Sequence, residues 1–165
     1  MVRAQDVRGA QKTALEWGKW QTGGMTPAVF PLSRRRGRSL QFGSAYRWRL
    51  IRFQAVGHMF RVLLVYSLEK EQYRAILARE DDRDLSVIAS YEFHGTHPGW
   101  HVTAACGDIL QIPSGVLIGP WQRRMPKARS YQRGARVTFG VENDDHALEA
   151  AAGFFRLHKT EGKFL

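Results

Sequence analysis

Residues 91–108, YEFHGTHPGWHVTAACGD, hold three of the chain's six histidines and its only cysteine. His94, His97 and His101 offer imidazole nitrogens to a divalent cation, and Glu92 adds a carboxylate close by. If residues 85–94 and 100–106 pair as an antiparallel hairpin with His94 opposite His101, Glu92 falls opposite Thr103 and all four side chains face one way. Opposed Cβ atoms then lie roughly 5 Å apart. This predicts a metal centre of His94, His101 and Glu92 holding Mg²⁺, Mn²⁺ or Zn²⁺, with His97 in the turn, either completing it or facing water. The competing reading is a structural hairpin whose histidines pair with Glu92, water or backbone, because a one-residue slip turns every ligand to the other face. Cys106, beside alanines, reads as a small core residue rather than a nucleophile.

The elements that must position these residues are read from periodicity. Leu85, Val87, Ala89, Tyr91 and Phe93 alternate with Ser86, Ile88, Ser90, Glu92 and His94, a period of two expected of a strand; Trp100, Val102 and Ala104 mark the returning one. Upstream, a strand from Tyr46, a turn at Gly57-His58 and the apolar run Phe60–Tyr66 predict a second hairpin. Ser67 is placed to cap a helix with Tyr73, Ile76 and Leu77 on one face, ending near Glu80. A long loop is expected over 107–134, a last strand over Val137–Val141, and a final helix capped by Asn143 with Ala147, Leu148, Ala151, Phe154 and Phe155 as its apolar stripe. Residues 1–44 read as a loosely structured basic arm with a short helix around Gln5–Trp17, and 45–165 as a single domain. The predicted class is α+β, a mainly antiparallel sheet with helices packed on one face.

Charge narrows the partner. The net charge is +10, and it is uneven: residues 1–65 hold 12 Lys/Arg against 2 acids, and residues 111–138 hold 6 against none. Clustered arginines favour a polyanion, because each phosphate neutralised releases counterions. The clusters are Arg34, Arg35, Arg36 and Arg38 in the arm, and Arg123, Arg124, Arg129 and Arg133 in the loop, where Trp121 and Tyr131 are interleaved as rings on which an unpaired base can stack. The other reading of that loop has Trp121 anchoring it to the core and the arginines merely solvated. A single cysteine, the lack of a signal-like apolar run after Met1 and the absence of a bilayer-length apolar stretch predict a cytoplasmic protein with no membrane partner. No phosphate-gripping glycine motif, Ser-His-Asp signature or CxxC pair is present, which leaves nucleotide hydrolases, ordinary hydrolases and zinc fingers without support.

The strand Trp100-His101-Val102-Thr103, preceded by a strand and a helix in an antiparallel sheet, resembles the HUH endonucleases, the replication initiators and relaxases of plasmids, phages and conjugative elements. The resemblance implies a nicking-type nuclease in which two histidines hold Mg²⁺ or Mn²⁺ against a scissile phosphate while a tyrosine attacks. Here only the first histidine of the motif is present; Thr103 stands at the second, so His94 takes its place as ligand, and Tyr131 is the only tyrosine downstream. The expected function is therefore nucleic-acid binding, single strands favoured, extended to metal-dependent nicking. The alternative is a non-enzymatic binding or regulatory protein using the same arginines on nucleic acid or an acidic protein.

Overall fold

The computed structural model of the chain describes residues 1–33, 40–94, 99–125 and 138–158. Its framework is a meander of long antiparallel strands, β3 (Arg47–Ala55), β4 (His58–Ser67), β5 (Gln72–Asp81), β6 (Asp84–Phe93) and β7 (Trp100–Ala105). Short strands extend the two edges: β1 (Thr13–Glu16) and β2 (Gln21–Thr22) pair with β3, and β8 (Gln122–Arg124) pairs with β7, giving eight strands. Two helices, α1 (Ala4–Gly9) and α2 (Asp144–Phe155), pack into one core cluster on one face, as the α+β reading requires. Among the described residues no helix is long and apolar enough to cross a membrane.

The β3–β4 turn is the two residues Val56-Gly57, both at positive φ (+45° and +79°), the conformation that matches the twist of a tight hairpin. The next connection departs from expectation: residues 72–81 are the central strand β5, not a helix started by Ser67. Tyr73, Ala75 and Leu77 enter the helical core while Ile76 and Ala78 enter a second core on the reverse face, so both faces are apolar and the alternation that marks a strand is hidden. Ser67 instead accepts a hydrogen bond from Lys70 N inside the turn.

β6 carries a bulge. Leu77 pairs with Ala89 but Ala78 with Val87, leaving Ile88 as the extra residue. Leu85 and Val87 therefore join the reverse core, whereas Ile88, Ala89 and Phe93, with Tyr91 packed against them, belong to the helical core. The five residues read as one alternating face lie on two faces.

Residues 1–33, expected as a loose arm, are built into the sheet and its two cores. Val7 is buried under α1, the predicted helix over Gln5–Trp17 stops at Gly9 because the chain leaves to pair with β3, and Met25, Phe30 and Leu40 are buried against the reverse face. Gly18, at φ +58°, passes so close to β3 that a Cβ there would lie 2.2 Å from the Leu50 carbonyl oxygen. In the region expected as one long loop, β8 forms and a 3₁₀ turn spans Ile109–Gln111, with Asp108 accepting from Leu110 N. Thr138–Val141 form no strand, Val137 lying outside the described residues. The final helix is as predicted: Asn143 caps it by accepting from His146 N, and Ala147, Ala151 and Phe155 are buried. Its start is tied to the sheet by Asp144, which accepts from Arg47 (2.7 and 2.6 Å) and from the Tyr66 hydroxyl.

Candidate metal centre

At the end where β6 passes to β7, the side chains of Tyr91, Phe93 and Trp100 point to the helical face and stack into an aromatic layer, with Tyr91 4.4 Å from Phe154 of α2 and 4.8 Å from Trp100 between ring centroids. Residues alternate across a strand. The layer therefore fixes Glu92, His94 and His101 on the reverse face of the same two strands.

The observed register puts Glu92 opposite His101 and Ser90 opposite Thr103, two residues from the expected pairing of His94 with His101. A shift of two preserves the facing side, so the predicted ligands still converge. Nε2 of His94 lies 2.9 Å and Nε2 of His101 3.4 Å from the same carboxylate oxygen, Oε2 of Glu92, and the imidazole centroids are 5.0 Å apart. One ligand atom from each of the three residues lies within 4.8 Å of the others. A cation about 2.1 Å from each would draw them to roughly 3–3.5 Å, a movement within the reach of side-chain rotation. The side chains of His101, Glu92 and His94 are 9%, 12% and 26% exposed, so the group is largely covered rather than on an open face.

The electrostatics suit a neutral-imidazole, ionised-carboxylate set. Burial alone would raise the Glu92 carboxyl, but the Arg74 guanidinium, whose Nε is 3.0 Å from Oε1, and hydrogen bonds from His94 and Ser90 outweigh it and hold the group below its ordinary value. Burial lowers His101, and the nearby Arg124 charge lowers it further against the opposing pull of Glu92. His101 is thus held neutral, the form that binds metal. Its Nδ1 is enclosed without a hydrogen-bond partner of ordinary geometry among the described residues, the Gly99 backbone being the group that favours its proton. Two imidazoles and one carboxylate form a donor set that leaves coordination positions open.

Two arginines flank the triad. Arg74 on β5 is opposite Glu92, forming the row Arg74, Glu92, His101 across three strands, and Arg124 on the edge strand β8 is opposite Thr103 on the triad's face. Arg123, paired with Ala104, faces the other way, although both β8 arginines are exposed. Trp121 is half-buried; its indole lies against Gly119, where a Cβ would come within 2.1 Å of the ring. Cys106 is exposed, and its N–H donates to the Trp121 carbonyl oxygen. Arg34, Arg35, Arg36, Arg38, His97, Arg129, Tyr131 and Arg133 lie outside the described residues.

Arg74 was not legible as part of the site because the helix expected over 67–80 hid its cross-strand pairing. Once β5 is a strand, an arginine across from a glutamate is the ordinary cross-strand signal. Missed as well is a pocket of about 310 Å³ beside His94 and Arg74, lined also by Phe42, Tyr46 and Gln72.

Compared with family models, curated proteins and solved structures, the chain matches none.

Proposed function

We propose that this chain is a nucleic-acid-binding protein that holds a divalent cation on Glu92, His94 and His101 and uses it against a phosphate of the bound strand. The observation that carries this reading is the convergence of two imidazoles and a carboxylate between Arg74 and Arg124. An anion approaching that face meets two guanidinium groups on a chain of net charge +10. Imidazole donors favour Mn²⁺ or Zn²⁺ over Mg²⁺, which prefers an all-oxygen shell. A cation so held polarises a phosphoryl oxygen and orients the strand. The protein's share is to present neutral His101 and ionised Glu92, to grip phosphates with Arg74 and Arg124, and to keep the triad recessed.

Nicking is the extension of this reading, with Tyr131 as attacking group. Tyr131→Phe then abolishes cleavage while keeping the ring for stacking; cleavage surviving at full rate excludes it as the nucleophile. The non-enzymatic alternative draws on one feature: Glu92 is already compensated by Arg74 and the imidazoles, so the hairpin is stable without an ion. Stoichiometric Mn²⁺ or Zn²⁺ binding, weakened by His101→Ala or His94→Ala but not by His58→Ala in the other hairpin, separates the two. The binding half is tested by salt titration with a single-stranded oligonucleotide. Replacing Arg123, Arg124 and Arg129 by Ala should reduce the slope of log affinity against log salt by about 2 to 3. An unchanged slope removes that segment from the interface.

A further inference from the structure

His94 of the triad lines one end of a depression whose other end is chemically different. The 310 Å³ pocket beginning at His94 and Arg74 runs to Phe42 and Tyr46, whose rings lie 6.0 Å apart at 44°, and to the side chain of Gln72. Its volume falls at the lower bound of small-molecule sites. Tyr46 donates to Gln72 Oε1 at 2.6 Å, which fixes the amide and leaves its NH₂ group as a donor. Lys70 Nζ lies 5.9 Å from the centre of the Tyr46 ring, adding positive charge. Arg74 engages Glu92 through Nε, so its two terminal nitrogens are the remaining donors of the guanidinium fork.

Each part selects a chemical feature. Two aromatic rings and an amide donor suit a flat heteroaromatic ring with acceptors on its edge, and a guanidinium next to a cation site suits a phosphate. We infer that the pocket seats one unpaired nucleotide, its base against Phe42 and Tyr46 and its phosphate toward Arg74 and the triad. The inference rests on the reading of Glu92, His94 and His101 as a metal centre and adds the ligand of that site. A base held in duplex stacking is not available to such a pocket, so the strand is recognised where it is unpaired. Gln72 contributes a single kind of donor, since its carbonyl is taken by Tyr46; selectivity among bases is accordingly weak.

The test is calorimetric titration of the full-length protein, with and without Mn²⁺, using adenosine 5′-monophosphate, ribose 5-phosphate and a short single-stranded oligodeoxynucleotide. The Mn²⁺-loaded protein should bind the mononucleotide more tightly than the metal-free protein does. Phe42→Leu and Tyr46→Leu should each weaken it by about fivefold or more, with ribose 5-phosphate changed by less than about twofold. Tyr46→Phe, which retains the ring, should restore binding of the mononucleotide, and a low yield of either leucine variant leaves this comparison with wild type intact. Competition by the oligonucleotide identifies a nucleotide of a strand as the natural occupant, and lack of competition a free mononucleotide. If Mn²⁺ binds but the mononucleotide does not, or binds equally to both leucine variants, the pocket inference is overturned and the metal centre stands. If Mn²⁺ does not bind, the metal centre fails; mononucleotide binding that is still lost in Phe42→Leu and Arg74→Gln then retains the pocket, and no binding overturns both.

Discussion

Glu80 and Glu92 are carboxylates on the same face of one sheet, each paired with arginine, and they differ in what completes the pairing. Glu80 is locked by two guanidinium groups, Arg52 through Nε and Nη2 at 2.6 and 2.8 Å and Arg61 through Nε at 2.8 Å. Hydrogen bonding from Arg52 is the largest influence on its carboxyl, which is pushed down to about 2 against the effect of burial. Arg61 also reaches the Ala28 and Val29 carbonyl oxygens, so this cluster staples the 25–33 segment to the sheet. Glu92 has one guanidinium on Oε1, while Oε2 faces two imidazoles. Permanent cations make a brace. Partners that can be neutral make a place where another cation can enter.

The contrast is broken most directly by adding metal. Free Mn²⁺ at about a hundred times its dissociation constant should stabilise the wild type by about 2.7 kcal/mol. For a chain of this size that is a rise in Tm of roughly 5–10 °C, read by scanning calorimetry. His101→Ala should lose the increment and Glu80→Gln should keep it; an increment surviving His101→Ala means that the ion binds elsewhere.

Removing the brace is the next largest effect. Glu80→Gln leaves Arg52 and Arg61 without a counter-charge and should cost about 2 kcal/mol by urea denaturation, less than a fully buried pair because Arg52 is 38% exposed. Glu92→Gln should cost less than Glu80→Gln without metal and abolish the Mn²⁺ increment. The reverse order would make Glu92 the structural residue.

Acid separates the two sites by their chemistry. Because the folded carboxyl of Glu80 titrates below its unfolded value, its contribution is fully present above about pH 4.5 and disappears as the pH falls through about 2. Metal binding requires deprotonated imidazoles, and burial and Arg124 lower His101, so the Mn²⁺ increment should fade below the ordinary histidine range as His101 gains its proton, before the brace is lost. Loss of both over one pH interval would contradict the assignment.

The smallest effect refines the picture of Glu92. Arg74→Gln removes a like charge from beside the ion and should tighten Mn²⁺ by roughly threefold to fivefold, with stability changed by less than about 1 kcal/mol. Weaker Mn²⁺ binding would mean that Arg74 holds Glu92 in its ligating position.

The convergence of Glu92, His94 and His101 was legible because Glu92 and His94, two apart, share a face of any strand, and because the expected pairing with His101, wrong by two residues, is an error harmless to facing. The final helix was legible through Asn143 and its stripe. β5 was not, because a strand buried on both sides has no polar phase, and Tyr73, Ile76 and Leu77 fit a helical face by coincidence of spacing. Met25, Phe30 and Leu40 were not, because a covering segment outside helix and strand buries residues with no period at all. Phe42, Tyr46 and Gln72 come together only when that segment and two strand ends meet, which no local pattern encodes.

The extra residue at Ile88 gives this site a dependence on parity. From Leu85 to Val87 the odd-numbered residues of β6 face the reverse core; from Ser90 onward the even-numbered ones lie on that side. Were the strand to run regularly through Ile88, without the bulge, the two sets beyond it would exchange, carrying Glu92 and His94 beneath the helices and turning Tyr91 and Phe93 toward Arg74, whereas deleting Ile88 would remove the bulge and leave the facing as it is. Which set this strand end presents to the reverse face, the rings of Tyr91 and Phe93 or the side chains of Glu92 and His94, is thus decided by the backbone at Ile88, with every side chain in the segment unchanged.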